Sequence, residues 1–566
     1  MNSPVLKVLL VEPDPASVLA LAHALGRRGH KVTAVTRADP KSFNRLVSPS
    51  PAENLIALLT QGTLVRVNRI SGSLEPRLAT EWTGAPEGRT RTFKLRPGVF
   101  FSDGAPFTAA DVLFTLKALY DPRVGSAMAS SFLTGGQPIT ATKTDDHTVV
   151  VQFPSVYGPG LSLFDTLPIL PEHTLAAALD AGTFAGAWNV NVAPAEVVGL
   201  GPFQLAEYLP GRSLRFTRNP RFWKRDDRGQ PLPYLAEIEL QIVADRNAEI
   251  LRLQSGDLDL PNDFARAEDL ATLKPLAAQG RLQLVDVGVD LNPSHLWFNL
   301  KPGATHVKGK PWLQKEEFRR AISHAIDRQK IVDTVFLGAA VPIYGPITPG
   351  NKEWYAADVP TTNYDPARAK ALLASIGLAD RNHDGLLEDA AGHPARFAIV
   401  TQKGDTVRER TVSLIQEQLR QVGLQVDAVP ADRNSIPKIW GDGDYDAIYF
   451  NVQSDALDPS RNLEYWLSSG SFHYWNPEQP TPATAWEARI DELMGQQTST
   501  VDRAERRRLF TEVQRTLAEH LPSIYFVAAK VVVAMNTRVT GATPSLLPPP
   551  ALWNAEVISI GAPASK

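Results

Sequence analysis

Two acidic stretches hold the side chains best suited to chemistry. Gln453-Ser-Asp-Ala-Leu-Asp-Pro459 ends a strand and enters a proline-marked turn, where Asp455 or Asp458 can cap the turn through its carboxylate. A carboxylate in a closed, desolvated cleft also attracts an ammonium far more strongly than one in water. Asp380-Arg-Asn-His-Asp-Gly-Leu-Leu-Glu388 places oxygen donors at alternate positions, Asp380, Asn382 and Asp384, with Gly385 sixth, as at the start of a calcium loop. The glutamate that closes such a loop at its twelfth position is Ala391 here, and an Asp-Gly hairpin turn accounts for the same residues. The loop is a metal candidate beside that plainer reading, and no cofactor is expected.

Other chemistries lack their residues. The chain has no cysteine, which removes disulfides, thiol catalysis, Cys-ligated zinc and lipoprotein anchoring through an N-terminal cysteine. No two of its 11 histidines form a helical i, i+4 metal pair with a Glu between them, although His295, His324 and His473 can still meet in space. Gly-x-Ser-x-Gly is absent. Gly199-Leu-Gly201 is not followed by Lys-Ser or Lys-Thr, and Pro202 removes a donor N–H, which argues against a phosphate loop. With 58 Lys and Arg against 61 Asp and Glu, the net charge of -3 offers nothing to nucleic acid. Nothing in these residues nominates an enzyme.

At 566 residues the chain is too long for one core, so two or more lobes must position any site. Asn292-Pro-Ser-His-Leu-Trp-Phe-Asn-Leu-Lys301 reads as a strand with Leu296, Phe298 and Leu300 on one face, and Trp297 and Asn299 on the other. Phe318, Ala321, Ile322, Ala325 and Ile326 then form the buried stripe of a helix. Thr108 with Asp111 predicts a capped helix after the Pro97-Gly98 and Asp103-Gly104 turns. Helices are also expected over 248–255, 407–422 and 504–520, and strands over 238–243 and 522–528.

Several of these segments, in order, resemble the family 5 extracellular solute-binding proteins, the peptide and nickel receptors of ABC importers. Leu78-Ala-Thr-Glu-Trp82, Thr92 to Gly104, Pro106 to Phe114, Val198-Gly-Leu-Gly-Pro-Phe203 and Pro522-Ser-Ile-Tyr-Phe-Val-Ala528 carry the resemblance, which covers roughly 31–560. Leu200 stands where the family's Gly-Thr-Gly-Pro has threonine. The resemblance implies an α/β, two-lobed periplasmic-binding-protein fold of type II, cluster C-like, with an interlobe ligand cleft and a hinge. It implies a first-lobe core from 31–66, 198–285 and 520–560, an accessory part at 67–197 and a second lobe at 286–519. The implied function is capture of peptides, with ABC permease subunits as partners, by a monomer in the periplasm or outside the cell. Another solute, an oligosaccharide or chelated nickel, is the alternative, and a non-exported sensor or chaperone is a further one. By the same resemblance Asp455 pairs with a ligand ammonium, the backbone of Asn451, Val452 and Gln453 pairs with an extended peptide, and Trp297 and Asn299 line the cleft.

The first 30 residues stand apart. Val8-Leu-Leu-Val11 is broken at once by Glu12-Pro-Asp-Pro15, unlike a secretory signal, and Ala16 to Gly26 reads as a helix. This start resembles the first unit of a response-regulator receiver domain, but the later parts of a receiver do not follow. An atypical extension, without a recognisable signal peptide, is the expectation.

Overall fold

The computed structural model describes residues 31–85, 88–261, 263–305, 307–450 and 457–561; the N-terminal extension lies outside them. Three sheets organise the chain. Lys31–Thr36 pairs in parallel with Glu237–Ile242, and Ser213–Arg218 and Phe203–Leu209 continue that sheet antiparallel. A second sheet, wholly antiparallel, runs Ala79–Gly84, Thr90–Leu95, Thr148–Gln152, Thr140–Asp145. It carries the helix Ala109–Tyr120, whose start has the expected capping box: Ala110 N–H donates to Thr108 Oγ1 at 3.2 Å, and Thr108 N–H to Asp111 at 2.9 Å. Both sheets share one apolar core, in which Phe93, Leu95, Val149 and Phe164 meet Leu205, Phe216 and Ile238.

The third sheet has the order Leu282–Val289, Ser523–Asn536, Ser294–Phe298, Ala447–Phe450, Arg396–Gln402, Gln425–Ala431. Its last three strands are parallel because helices connect them, Thr406–Arg420 between the two outermost. One face packs on the predicted helix stripe: Phe318, Ala321, Ile322, Ala325 and Ile326 are all buried against Leu296 and Phe298. On the other face Trp297 and Ile448 meet Leu493, Met494, Phe510 and Val513 from the helices Ala485–Ser499 and Arg503–His520. The sheet is therefore buried on both faces, which gives its strands near-continuous apolar runs.

Ser523–Asn536 is the element that joins the lobes. Its first half pairs with Ser294–Phe298 and buries Ile524 and Phe526 in one core, while its second half pairs with Leu282–Val289 and buries Val533 and Met535 in the other. Fourteen residues at ~3.3 Å each give a strand of roughly 45 Å, long enough to cross from lobe to lobe. Leu282–Val289 and Ser294–Phe298 run the opposite way beside it, so two antiparallel segments make the crossing. Gly199 and Gly201 serve packing, as their position outside any phosphate loop requires. A Cβ at Gly199 would lie 2.0 Å from Thr60 O, and one at Gly201 2.5 Å from Leu59 O, where the helix Pro51–Thr60 ends.

After the crossing strand the chain returns to the first lobe, held there by one carboxylate. Glu556 Oε1 accepts from Arg66 at 2.7 Å, Arg77 at 2.8 Å and Lys224 at 3.0 Å, and its side chain is 3 % exposed. Burial would raise its pKa, but Arg77, Arg66 and Lys224 outweigh that and hold it well below the usual carboxylate range. Glu556→Gln should therefore cost about 3–5 kcal/mol, because it leaves buried cations without their counter-charge. Since the folded pKa is depressed, this stabilisation is present above about pH 4.5 and lost as pH falls below it. Urea midpoints of wild type and variant should differ most near neutral pH and converge in acid; a constant difference would assign the residue a purely steric role.

Candidate functional site

Two cavities share lining residues at the edge of the second lobe, and one of them opens onto the first lobe. The first, about 300 Å³, is an aromatic chamber beside the crossing strands, walled by His295, Tyr465, Trp466, Phe472, Tyr474 and Tyr525. The second, about 550 Å³, lies between first-lobe residues such as Trp82, Met128, Gly158 and Ser162 and second-lobe residues such as Trp354, Asp458 and Arg506. Leu457 and Arg461 line both. Such volumes suit a peptide-sized or drug-sized ligand.

Strand alternation builds the chamber. His295 precedes Trp297 by two residues and shares its face; it stacks on Tyr525 with ring centroids 5.3 Å apart and planes 3° apart. His295 is 4 % exposed, its Nδ1 has no hydrogen-bond partner among the described residues, and burial alone pushes its pKa down to about 3, so the ring is neutral at physiological pH. Tyr465 and Tyr525 are hydrogen-bonded to each other through their hydroxyls; burial raises the pKa of Tyr465 to about 12 and that of Tyr525 well above 10. Tyr474 is presented by a loop centred on the buried Glu487, which accepts from His473, Trp475, Gln479 and Thr484. Burial opposes ionisation of Glu487, but those hydrogen bonds win and bring its pKa down to about 2.

The turn after the undescribed segment is clamped. Asp458 caps it by accepting from Ser460 N–H at 3.0 Å, and Arg506 donates to Asp458 at 2.6 Å and to Ser460 Oγ at 2.8 Å. Two steps on, Arg461 reaches across to the first lobe, donating to Ser162 O at 3.4 Å and Thr166 Oγ1 at 3.3 Å. Backbone joins backbone nearby, where Gly158 N–H donates to Thr498 O at 2.7 Å. The lobes are thus in contact across the cleft.

The expected site residues divide into three groups. Asn451, Val452, Gln453 and Asp455 lie outside the described residues. Trp297 is 2 % exposed and packs beneath the chamber on Tyr474, with ring centroids 4.7 Å apart, so it supports the wall without lining it. Asn299 corrects the expectation more sharply. Its amide donates to Gly443 O at 2.9 Å and Tyr445 O at 3.3 Å, and its Oδ1 accepts from Lys301 N–H, which uses the side chain as a backbone clamp away from both cavities. Two of the chamber residues carried an indirect sequence signal: His295 sits in register with Trp297, and Tyr525 lies in the family-like run over 522–528; Tyr465, Tyr474 and Arg461 carried none.

The acidic loop gathers a third carboxylate. Asp380, Asp384 and Glu388 bring carboxylate oxygens within 4.8 Å of one another, because Ala379 and Glu388 bridge across a hairpin. Asn382 Oδ1 accepts from Asp384 N–H at 2.9 Å. The loop lines neither cavity. The three histidines have separate contacts: His295 stacks on Tyr525, His324 contacts Asn363 O, His473 contacts Tyr465 O and Glu487, and no metal-type cluster among the described residues includes any of them.

Gly158 makes closure possible, since a Cβ there would lie 2.1 Å from Thr500 O. Gly158→Val should leave the first-lobe core intact and disfavour the closed form. Ligand affinity should fall about tenfold or more, tenfold being ~1.4 kcal/mol. Small-angle scattering should find the variant more open than wild type; an unchanged scattering profile and affinity would show that this contact does not govern closure.

Comparison with known proteins agrees with this geometry. The family model described as "Bacterial extracellular solute-binding proteins, family 5 Middle" matches residues 73–474. A probable ABC transporter-binding protein of Deinococcus radiodurans is 27% identical over 538 residues, 91% of this chain and 89% of that protein. The oligopeptide-binding protein AppA of Bacillus subtilis is 25% identical over 91% of this chain and 89% of its own length. Among solved structures, the substrate-binding protein CtaP of Listeria monocytogenes superposes with a TM-score of 0.77 at 22% identity, covering 94% of this chain and 99% of that one.

Proposed function

Because the chain belongs to family 5 of the bacterial extracellular solute-binding proteins, we propose that it is the substrate-binding component of an ABC transporter, capturing peptides in the interlobe cleft for import. The observation that carries this reading is the cavity of about 550 Å³ walled by both lobes, which shares Leu457 and Arg461 with the aromatic chamber of the second lobe. A ligand that touches both lobes stabilises the closed form, and that form is what permease subunits would read. The names of the Deinococcus and Bacillus relatives support the transporter and peptide parts of the reading. The protein acts outside the cytoplasm, as a monomer that binds and does not transform its ligand. Its lobes divide as 31–66, 198–285 and 520–560 for the first, 67–197 for its accessory part and 286–519 for the second, except that the first half of Ser523–Asn536 is packed in the second lobe's core. The aromatic walls favour one second reading, a receptor for another solute such as an oligosaccharide, whose rings stack on such surfaces.

On the peptide reading, the ligand's ammonium pairs with Asp455 and its backbone pairs with Asn451, Val452 and Gln453. Leu457, close after that segment, lines both cavities, which supports the assignment. Asp455→Ala should cost ~2–5 kcal/mol of binding, or roughly 30- to 4000-fold. Acetylating the peptide amine should weaken wild type similarly and add little in the variant. Calorimetry on the four combinations measures the coupling. Equal binding of free and acetylated peptides to wild type would remove Asp455 from the site, and no binding by any of a di-, tri- and pentapeptide panel would leave the other-solute reading.

A further inference from the structure

We propose that the first lobe holds a second binding site, for a phosphate group that carries one proton, in a cavity beneath the returning C-terminal segment. The inference goes beyond the peptide reading and does not depend on it, because the walls of this cavity come from the first lobe alone.

The cavity is about 180 Å³. Four guanidinium groups line it, those of Arg45, Arg66, Arg69 and Arg77, against the carboxylates of Asp165 and Glu556. Lys224 on Glu556 and Glu75 on Arg66 stand beside it, one charge of each sign, and leave that excess unchanged. Arg69 lacks a counter-charge. Its Nη1 donates to Leu547 O at 2.9 Å and Pro549 O at 3.0 Å, and no carboxylate forms an ion pair with it among the described residues. Burial brings its pKa down to about 10, which leaves it charged at neutral pH. A buried cation without a partner is costly, and an anion that enters beside it offsets the cost. The planar fork of arginine matches the oxygens of a phosphate.

Two acceptors in the same wall select among anions. Asp165 Oδ1 accepts from Val67 N–H at 2.9 Å, and Oδ2 has no hydrogen-bond partner among the described residues. Gln61 is 6 % exposed; its Nε2 reaches Thr60 Oγ1 at 3.4 Å, while Oε1 is enclosed and without a partner among the described residues. Buried polar groups are satisfied as a rule, and the exceptions call for an explanation. Both oxygens require a donor, in a cavity whose charge requires an anion. Sulfate and chloride bring no proton. A phosphate group with one proton left brings oxygens for Arg69 and an O–H for Asp165. Arg45, Val67 and Asp165 also line the interlobe cavity, so the ion enters from the cleft.

The test is calorimetry and thermal unfolding of the full chain at neutral pH with inorganic phosphate, sulfate and glycerol 3-phosphate. Wild type should bind phosphate at least about 100-fold more tightly than sulfate, as a site built to pair with an O–H rejects an analogue that lacks it. Its thermal midpoint should rise with phosphate and not with sulfate. Arg69→Gln should weaken phosphate roughly 30-fold or more. Asp165→Asn keeps an acceptor for Val67 N–H and turns an amide donor toward the anion, so it should weaken phosphate, strengthen sulfate and erase the margin between them. Where Arg69→Gln does not fold, the wild-type margin and Asp165→Asn decide. Glycerol 3-phosphate separates the sources: binding equal to that of inorganic phosphate assigns the site to a phosphate ester, and its exclusion assigns it to the free ion. Equal binding of phosphate and sulfate to wild type means an adventitious ion only and overturns the proposal. So does the absence of phosphate binding, or a margin that survives Asp165→Asn. The peptide panel, run without phosphate, is untouched by any of these results.

Discussion

Everything in this molecule hangs on one strand. Ser523–Asn536 is hydrogen-bonded along one half to Ser294–Phe298 and along the other to Leu282–Val289, and each half is buried in a different core. Breaking it would expose both cores at once, so the lobes cannot separate, yet among the described residues only this strand and its antiparallel neighbours pass between them. Bending is the freedom that remains. Gly288, at φ +107° where the register of Leu282–Val289 shifts, gives the crossing a place to absorb it.

The cleft is formed from the same strands that make the crossing. His295 and Tyr525 are register partners across that ladder, so the ladder that connects the lobes also sets the two rings parallel. Neither ring is free to move without disturbing the pairing, which gives the chamber a preorganised wall. Opposite, the wall made by Tyr474 depends on Glu487, a buried carboxylate kept ionised by its four donors. One side of the chamber is thus held by backbone hydrogen bonds and the other by a charge, two kinds of support that fail under different conditions. Buried ion clusters recur where chain segments return from a distance: Glu556 gathers three cations to fasten the C-terminal segment, and Asp259 accepts two hydrogen bonds from Arg538, each at 2.6 Å, beside the strand exit. Each tie is short-range and desolvated, where charge pairs are most directional.

Much of the secondary structure was legible from spacing. The stripe from Phe318 to Ile326 is buried as its 3.6 period requires, and Thr108 with Asp111 caps the helix that follows. The same rule of alternation placed Trp297 and Asn299 opposite Leu296 and Phe298, correctly, but alternation tells only which face a side chain takes. It does not say whether that face meets solvent, ligand or a second layer. Here a second layer of helices covers it, so Trp297 became packing and the amide of Asn299 was taken up by backbone carbonyls. In the acidic loop, oxygen spacing nominated Asp380, Asn382 and Asp384, and the hairpin adds Glu388 to the two carboxylates.

What the sequence determined by itself was local and compositional: periodic faces, caps, turns, the absence of thiol chemistry, and a succession of segments sufficient for the family. Those properties depend on neighbours a few residues away, which the chain carries in order. The tertiary structure alone decided which distant residues share a cavity. His295, Arg461, Tyr474 and Tyr525 come from four separate stretches, and even the family-like run around Tyr525 does not say what its ring faces. They converge because a strand crosses between two cores and a clamped turn reaches back over it, and such a meeting depends on packing across more than two hundred residues of chain, which no local pattern encodes.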